Sequence, residues 1–529
     1  MLPFQLNLSS FLRRARDHTP DGVIVSPGNR QEHFTYREHF DRVARLAGAL
    51  QRLGVVPGDR VATYAWNHHR HLELYWAIPA VGAVLHTVNI RVSSDDVAYI
   101  IDHAGDQLIF VDAELLPGVR DTLAACPDLR VVVMGDDPTS VPIDLLDYET
   151  LLAAADPVTE FAEVGEDDLA ALCYTSGTTG RPKGVPYSHR TLFLHTMAAA
   201  MADGHAISRS DTVLHVVPMF HANAWGVPFA ATMVGAKQVL SGAHPTAPVI
   251  AELIESHSVT YTGMVPTMAA DLIRHLQESG RRIGPLRAFV IGGSPPTPQL
   301  VRDVQETLQC AVYQGWGMTE LAPMASFGRI DLSDGGVDAI TQGNLLPGLE
   351  WKLLDENDRE VPWDGNSRGE LVIRGPWVAT HYYCQATPDS FWHGWLRTGD
   401  IATIDEQARL RIVDRKKDLI KSGGEWITPT ELESRLIEDP AVAAASVIGV
   451  PDSRWMERPL AVVVARDGWE VDTKRLLDDL RAHFARWWVP DRIVVAHALP
   501  LTSVGKIDKR ALRAHYAGDR ADTLGEHGQ

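Results

Sequence analysis

Hydrophobic positions near the start of the chain follow two different spacings in turn. Across residues 37–53, apolar side chains recur every three or four residues, and Gly54 follows. This pattern predicts an amphipathic helix that ends at the glycine. The continuous apolar run 61–66 is typical of a buried strand. Helix-like and strand-like segments go on alternating through 72–88, 97–103 and 108–111. This alternation predicts an α/β architecture with largely parallel sheets.

A second pattern begins near residue 346. Across 346–412 short apolar stretches are separated by turns rich in Asp, Asn, Gly and Pro, which predicts a small antiparallel β-barrel. Beyond it lie an amphipathic helix near 476–487 and strand-like runs at 447–450, 460–465 and 493–496. These elements suffice for a second, compact α/β domain.

A charged segment lies between the predicted β-barrel and the predicted C-terminal domain. The run DRKKDLIKSGGEWITPTELE, at 414–433, passes from charge into a Gly-Gly turn, and Thr428, Pro429 and Glu431 then predict a helix start with a capping box. Because 529 residues exceed what one core supports, we predict several segments. They are a large N-terminal domain at 1–413, a hinge at 414–417, a small mobile C-terminal domain at 418–517 and a disordered tail at 518–529.

Charge and cysteine content narrow the classes of function. The formal net charge is −19, whereas nucleic-acid binding relies on a basic surface. No apolar run reaches membrane-spanning length, and the N-terminus lacks a signal-peptide pattern. The four cysteines lie far apart without metal-ligand spacing, which fits a reducing compartment. We therefore expect a cytoplasmic protein with no nucleic-acid partner and no membrane span.

Eleven residues at 174–184, YTSGTTGRPKG, carry the strongest chemical signal. The run 169–174 before the loop is strand-like, and 192–201 after it is compatible with a helix. Glycines let the backbone approach an anion, hydroxyls donate hydrogen bonds and Lys183 adds charge. The segment therefore predicts a triphosphate cradle, although its spacing does not fit a Walker loop. A polar surface turn is the alternative interpretation.

A second nucleotide signal lies at 313–320, YQGWGMTE. Trp316 between two glycines can stack on a purine, Thr319 can donate to a phosphate, and Glu320 can hold Mg²⁺ between phosphates. Upstream, FVIGGSPP at 289–296 predicts a strand that ends in a ligand-facing Gly-Gly turn.

Two further segments are weaker when taken alone. The run VVPMFHANAW, at 216–225, then predicts a core strand with a buried histidine. In WLRTGD, at 395–400, Asp400 is either a ribose-binding carboxylate or an exposed residue that caps a turn. Near the C-terminus, Lys506 follows a glycine, and an isolated surface lysine is usually only solubilising.

These motifs, in this order from 174 to 506, resemble those of the ANL superfamily of adenylating enzymes, and 216–225 resembles the acyl tunnel of its fatty-acyl-CoA synthetases. The resemblance implies a large N-terminal domain of two β/α subdomains plus a small β-barrel, followed by the small mobile domain. It implies an acyl-CoA synthetase that joins a carboxylic acid to ATP, giving acyl-AMP and pyrophosphate, and then passes the acyl group to CoA by domain alternation. ATP, Mg²⁺ and CoA are the implied cofactors, and relatives often form homodimers.

The resemblance also assigns roles to single residues. It makes Lys506, Glu320, Thr178, Lys421 and His221 catalytic, with Glu320 and Thr178 as metal ligands and Lys417 as the hinge. Residues implied to contact nucleotide or CoA are Thr175, Ser176, Gly177, Thr178, Thr179, Gly180, Lys183, Gly292, Gly293, Ser294, Gly315, Trp316, Gly317, Met318, Thr319, Asp400, Ile412, Arg415, Lys421, Gly423, Gly424 and Lys506. The acid pocket is implied to be lined by His221, Trp225, Val227, Met264, Val265, Met318, Ala322 and Trp426.

Two departures from the family pattern keep alternatives open. Trp316 stands where most relatives have Tyr, and Ala408 with Arg409 replace a usual Gly-Tyr pair. An enzyme that performs only the thioester-forming half-reaction, a non-catalytic adenylate-binding protein, and capture of the adenylate by a carrier-protein thiol or an amine all remain possible. The apolar pocket favours medium- or long-chain fatty acids, while short branched or sulfur-containing acids and bulky polycyclic acids stay open.

Overall fold

The computed structural model describes residues 4–27, 32–126, 128–137, 145–175, 181–284, 286–334, 340–386, 388–423, 425–501 and 507–516. Seven residues with assigned roles lie outside these ranges: Ser176, Gly177, Thr178, Thr179, Gly180, Gly424 and Lys506. The described residues form these helices: α1 Ser9–His18, α2 Tyr36–Arg52, α3 His69–Ala80, α4 Ser94–Ala104, α5 Leu116–Ala124, α6 Tyr148–Ala154, α7 His189–Ala200, α8 Val227–Val234, α9 Ala247–His257, α10 Pro266–Ser279, α11 Pro298–Leu308, α12 Pro429–Ile437, α13 Thr473–His483 and α14 Lys509–Tyr516.

The strands follow in chain order: β1 Val23–Ser26, β2 Glu32–Thr35, β3 Arg60–Tyr64, β4 Val84–Thr87, β5 Leu108–Asp112, β6 Arg130–Met134, β7 Leu146–Asp147, β8 Leu169–Tyr174, β9 Gly184–Ser188, β10 Thr212–His215, β11 Lys237–Leu240, β12 Tyr261–Met264, β13 Ala288–Ile291, β14 Ala311–Gly317, β15 Met324–Arg329, β16 Asn344–Leu345, β17 Glu350–Leu354, β18 Gly369–Arg374, β19 Phe391–Trp392, β20 Trp395–Ile404, β21 Leu410–Arg415, β22 Ile420–Ser422, β23 Glu425–Ile427, β24 Val442–Asp452, β25 Met456–Ala465 and β26 Ile493–Ala496.

The chain divides into two compact units. Unit 1 comprises Met1–Trp351 and Ile373–Leu396, and unit 2 comprises Lys352–Val372 and Arg397–Gln529. The predicted division at 413 remains a prediction. A sheet of strand order β17-β18-β20-β19, with β21 beside β20, contains the points at which the chain passes between the units. The pairings of β20 with β19 and β21 are antiparallel, as the pattern at 346–412 predicted.

Two mainly parallel sheets form unit 1. One has the order β16-β15-β14-β13-β12-β10-β11-β1-β2 and the other β7-β6-β5-β3-β4-β8-β9. Each has its own core: Phe289 and Ile254 are fully buried beside the first sheet, and Ile109 and Leu172 beside the second. The sequence prediction of two β/α subdomains with parallel sheets is confirmed.

The C-terminal part of unit 2 contains a separate sheet, with the order β23-β22-β25-β24 and β26 beside β25. Helices α12 and α13 cover it through Leu432, Leu436, Leu476 and Leu480, all buried. The predicted small α/β domain is therefore present. None of the described helices is long and apolar enough to cross a membrane.

Local signals that were close in sequence proved accurate. Helix α2 starts at the Thr35 cap, whose hydroxyl accepts from the Glu38 backbone amide at 3.2 Å while the Glu38 carboxylate accepts from the Thr35 amide at 2.8 Å. It ends just before Gly54, which has a φ of 78°. The helix predicted near 476–487 begins and ends earlier, at Thr473 and His483.

The capping box predicted for α12 is wrong. Thr428 is the cap residue and Pro429 opens the helix, but the Thr428 side chain accepts no hydrogen bond from the helix backbone. Arg368 donates to the Thr428 hydroxyl at 3.0 Å and to the Glu431 carboxylate at 2.8 Å. The Arg368 guanidinium, just before β18, thus binds both side chains that were expected to form the capping box.

Candidate active site

The stems of the phosphate loop form an antiparallel hairpin. Strand β8 spans the residues predicted for it, and Tyr174 pairs with Gly184 of β9. The Thr175 amide donates to the Lys183 carbonyl at 3.0 Å, and the Lys183 amide donates to the Thr175 hydroxyl at 3.2 Å. These two bonds close the loop at its base. Residues 176–180 between the stems lie outside the described ranges.

Glu320 lies in a short 3-10 turn, Thr319–Leu321, directly after β14. It is only 6% exposed. Its Oε1 accepts a hydrogen bond from Tyr382 Oη at 2.7 Å, and its carbonyl accepts from the Ala379 amide at 2.8 Å. The Lys183 ammonium lies 4.7 Å from the centre of the Tyr382 ring. One aromatic side chain thus contacts both the phosphate-loop lysine and the candidate metal-binding carboxylate.

Burial, together with the neighbouring Glu320 carboxylate, raises the pKa of the Tyr382 hydroxyl well above its ordinary value. The hydroxyl therefore stays protonated and donates to Glu320 across the working pH range. Neither Tyr382 nor its partnership with Glu320 was foreseen from the sequence, because Tyr382 belongs to no spaced motif.

Trp316 lies on the buried side of β14 and is 8% exposed. Thr319 is also buried, and its carbonyl accepts a hydrogen bond from Tyr187 Oη. Gly315 is partly exposed and Gly317 is exposed. Strand β14 therefore presents glycine backbone at the positions where the sequence predicted contact with a nucleotide.

The segment that would line the acid pocket is not a strand. Strand β10 ends at His215, and the five residues Ala222–Gly226 form a turn in the left-handed region, with φ between 43° and 75°. The strand interpretation of 216–225 is therefore wrong. Left-handed backbone costs about 1–2 kcal/mol for each residue with a side chain. Such strain persists only where the surrounding structure enforces it, and it is concentrated at functional sites.

This left-handed turn places the Trp225 indole against two glycines of the parallel sheet. A Cβ on Gly292 would lie 2.6 Å from Trp225 Cη2, and one on Gly263 would lie 3.3 Å from Cζ3. Gly292 directly follows β13 and opens the predicted Gly-Gly turn, and Gly293 and Ser294 beyond it are exposed. Trp225 thus contacts the Gly-Gly turn, although the two belong to separate sequence motifs.

Buried polar groups hold the turn from behind. Asn223 is fully buried, and its Oδ1 accepts from the Cys173 thiol at 3.5 Å. Burial raises the pKa of Cys173 to about 11, so the thiol stays protonated. His195 packs on Gly226 and accepts from the Met324 amide at 3.1 Å, and burial lowers its pKa to about 3, which keeps it neutral.

The other pocket candidates differ in exposure. Half-buried positions are His221, Val265 and Met318, while Val227 is 7%, Met264 1% and Ala322 0% exposed. Met264 packs in the core of the first sheet with Leu214 and Ile291. Their contact with an acid remains a prediction.

In unit 2, Asp400 and Arg415 face each other across the β20–β21 pair. Arg415 Nε lies 2.6 Å from Asp400 Oδ1, and Asp400 is 1% exposed. The Asp400 amide also donates to the Thr398 hydroxyl at 3.1 Å. Ile412 of β21 is half-buried, and Lys417 lies in the turn that follows the strand. The predicted ribose carboxylate and nucleotide cation thus form one ion pair.

The Gly-rich turn of unit 2 is held by aromatic residues. Lys421 pairs with Trp426 across the β22–β23 hairpin, and its ammonium lies 5.1 Å from the Trp426 ring centre. Trp426 Nε1 donates to Glu356 Oε1 at 2.9 Å. Gly423 has a φ of 63°, and a Cβ there would lie 2.7 Å from Trp455. This position therefore requires glycine.

Comparison with known proteins agrees with this geometry. Residues 11–383 match the family described as AMP-binding enzyme, and residues 431–506 match the AMP-binding enzyme C-terminal domain. A long-chain-fatty-acid–CoA ligase from Thermus thermophilus is 43% identical over 98% of this chain and 96% of its own. A 3-methylmercaptopropionyl-CoA ligase from Ruegeria lacuscaerulensis is 38% identical over 98% of both chains. The ATP-bound crystal structure of MatB from Rhodopseudomonas palustris is 27% identical with a TM-score of 0.85, covering 98% of this chain and 100% of that one.

The chain therefore belongs to the AMP-binding enzyme family, the ANL superfamily that its motifs resemble. The predicted fold and the predicted enzyme class, an AMP-forming acid–thiol ligase of the acyl-CoA synthetase type, are confirmed. The individual roles of the site residues remain predictions.

Proposed function

We propose that this enzyme activates a hydrophobic carboxylic acid with ATP and transfers the acyl group to CoA. ATP and CoA are the substrates of its enzyme class. The observation that carries the proposal is the contact of Tyr382 with both Lys183 and Glu320. It joins the phosphate loop to a buried carboxylate within one unit, an arrangement suited to a triphosphate.

In the first step a carboxylate oxygen of the acid attacks the α-phosphorus of ATP. The bond from that phosphorus to the bridging oxygen breaks, and pyrophosphate leaves with the electron pair. No enzyme nucleophile is needed, so positioning and electrostatics supply the catalysis. We assign Lys183 and the loop hydroxyls to the phosphates, and Lys506 to the charge that develops at the reacting centre. One such donor is worth about 3–4 kcal/mol of barrier.

The residues present fit a Mg²⁺ ion bound together with phosphate. Within the described ranges, no group of three or more His, Cys, Asp or Glu side chains is arranged to hold a metal. Mg²⁺ commonly binds through one or two carboxylates plus substrate phosphates rather than in an all-protein cage. We propose Glu320 and Thr178 as its protein ligands. When bound, the ion would neutralise phosphate charge.

In the second step the CoA sulfur attacks the acyl carbon, the thiol loses its proton and AMP leaves as the carbon–oxygen bond breaks. We propose that Lys421 and the turn at Gly423 and Gly424 serve this step after the C-terminal domain rotates about Lys417. The need for Gly423, argued from its φ and from Trp455, supports a turn that approaches another group closely. Asp400 and Arg415 are assigned to the ribose and the nucleotide, and His221 to the junction of acid and CoA.

We propose a medium- or long-chain fatty acid as the preferred substrate. The apolar Trp225 wall, the buried Val227 and the likeness to the Thermus thermophilus enzyme support this choice. The likeness to the Ruegeria lacuscaerulensis enzyme supports a short sulfur-containing acid as the second candidate. We further propose a cytoplasmic homodimer, a location supported by the four free thiols.

The test measures the two half-reactions separately. Acid-dependent ATP–pyrophosphate exchange across a panel of acids would give the preferred acid, and thioester formation from presynthesised acyl-adenylates would test the second step. We expect both, with the highest exchange for a fatty acid. Thioester formation without any exchange would replace the proposal by an enzyme of the second half-reaction alone. If neither activity were detected, the proposal would be replaced by a non-catalytic adenylate-binding protein.

A further inference from the structure

Helix α4 lies against both stems of the phosphate loop through two residues one turn apart. His103 Nδ1 lies 2.7 Å from Tyr174 Oη, and the two rings are nearly perpendicular with centres 5.8 Å apart. Four residues earlier, the Tyr99 ring lies 4.6 Å from the Arg181 guanidinium. Residues at i and i+4 share one face of a helix. Tyr174 precedes the loop and Arg181 follows it, so one helix face contacts the chain on both sides of the phosphate site.

The helix that makes these contacts is itself fixed at both ends. The Ser93 hydroxyl accepts from the Asp96 amide at 3.1 Å at its start. At its end Arg60 donates to the Ala104 carbonyl at 2.8 Å and to the Gly105 carbonyl at 3.1 Å. Because its last carbonyls are bound to a side chain, the final turn that holds His103 has little freedom to fray.

A buried ionisable pair lies beneath Tyr174. His86 Nδ1 is 2.7 Å from Asp106 Oδ2, both side chains are fully buried, and the His86 ring centre is 5.1 Å from that of Tyr174. Within the described ranges, His86 Nε2 and Asp106 Oδ1 have no hydrogen-bond partner. Burying a polar group without a hydrogen-bond partner is costly. Burial also raises the pKa of Asp106.

Packing restricts Tyr174 from the other side as well. A Cβ on Gly184 would lie 3.1 Å from Tyr174 Cζ and 3.1 Å from Tyr383 Cβ. The Tyr383 amide donates to the Gly184 carbonyl at 2.8 Å. Tyr174 is thus held between β9, His86 and His103.

We propose that Tyr99, His103 and Tyr174 are positioning residues that hold the two stems of the phosphate loop at the spacing that a triphosphate requires. They act through the loop and touch no substrate. This inference rests on the proposed function for the identity of the triphosphate as ATP. A displacement of about 1 Å in a positioned group can cost around a hundredfold in rate. Loss of a hydrogen bond at the base of the loop can therefore have a large effect on activity.

The experiment measures the dissociation constant of ATP by calorimetry and its KM in acid-dependent pyrophosphate exchange. Y174F removes the hydroxyl, and H103L removes its partner. We expect both to weaken ATP binding about tenfold, which is the size of effect that one lost neutral hydrogen bond can have, with the KM of the acid unchanged. H103N keeps a hydrogen-bonding atom near the position of Nδ1 and is expected to restore binding to within about threefold of the wild type.

A matched control exists in the same unit. On β12, in the other sheet of the unit, Tyr261 Oη lies 2.5 Å from His205 Nδ1, with nearly perpendicular rings 5.6 Å apart. Y261F therefore removes an equivalent bond, and we expect it to lower the melting temperature without changing ATP affinity. Tyr99 is half-buried at the helix surface, so Y99L tests the second contact in a variant that folds, with Y99F as its control. We expect Y99L to weaken ATP binding about two- to fivefold.

Unchanged ATP affinity in Y174F, H103L and Y99L would overturn the inference, as would an equal loss in Y261F. The three variants could bind ATP more weakly while the wild type shows no exchange with any acid. That result would support the positioning role and contradict the proposed first half-reaction. Because calorimetry needs no turnover, the two failures are distinguishable.

Discussion

Tyr382 donates a hydrogen bond to Glu320 over 2.7 Å, across 62 positions of sequence. The same ring lies under the Lys183 ammonium. The bond restrains the orientation of the Glu320 carboxylate. The proposed metal ligand is therefore set by a residue outside every motif.

We expect Y382F to lower kcat for pyrophosphate exchange about tenfold and to raise the Mg²⁺ concentration needed for half-maximal rate. The hydroxyl bond to a charged acceptor is worth about 1.5–3 kcal/mol. The phenyl ring keeps its contact with Lys183, so Y382L should be worse than Y382F. Y313F is the control, since Tyr313 stacks on Phe327 at 5.2 Å through its ring. An unchanged Mg²⁺ requirement in Y382F would contradict the assignment of Glu320.

The contact of Trp225 with Gly292 predicts a coupled pair of substitutions. G292A places a Cβ where the indole lies at 2.6 Å, so the indole must move, and we expect the KM for the preferred acid to rise at least tenfold, with that of ATP changed less. W225L should by itself shift preference toward larger acids, because it vacates volume at the wall. Residues in contact give non-additive effects, so the double variant should bind the acid better than G292A.

An acid panel with steady-state kinetics checks this pair. G118A is the control, because a Cβ on Gly118 of α5 meets no atom within 4 Å. If G292A kept the wild-type order of acids and their KM values, Trp225 would not be part of the acid pocket.

Buried histidines predict an acid-sensitive fold. Burial lowers the pKa of His39 to about 4 from its ordinary 6.5. Below pH 6.5 the unfolded chain therefore binds a proton that the folded chain does not. The free energy of unfolding falls as pH drops from 6.5 to about 4, by about 1.4 kcal/mol per pH unit for this residue. Fully buried His71, His195, His205 and His215 act in the same direction.

We expect the urea midpoint to fall steeply between pH 7 and pH 5. Both ring nitrogens of His39 are buried without a partner in the described part of the chain, so H39L should retain stability at pH 7.5 and lose stability less steeply on acidification. H18Q, at an exposed position of α1, should leave the slope unchanged. Equal slopes in wild type and H39L would contradict this account.

The hinge assignment predicts a separation of the half-reactions. K417P fixes φ at 417 and restricts the preceding residue, so rotation of the C-terminal domain should be impaired. We expect overall turnover to fall at least tenfold while acid affinity stays within twofold. K417A keeps the backbone free and serves as the control for the lost charge. Wild-type turnover in K417P would rule out a hinge at this residue.

Much of this enzyme could be predicted from its sequence because the signals were local. The run 169–174 became β8 without change, and 493–496 became β26. Short apolar runs of this length are typical of buried strands. The reaction class followed from the resemblance of these short motifs, in their order along the chain, to those of the ANL superfamily.

The failures came from partners distant in sequence. Thr428 and Glu431 have the spacing of a capping box, but Arg368 lies 60 positions upstream of Thr428 and binds both. The left-handed turn at Ala222–Gly226 contradicts the strand that its apolar letters favoured, because packing of Trp225 on Gly292 and Gly263 outweighs local preference.

The sequence by itself determined the family and the alternation of helices and strands, and it predicts which short segments bind phosphate, nucleotide and acid. Only the tertiary structure decided which side chains contact these segments. Tyr382 contacts Glu320, His103 contacts Tyr174 and Trp225 contacts Gly292. The order of strands in a sheet brings these residues together across 62 to 71 positions, and no local spacing of hydrophobic or polar residues encodes that order.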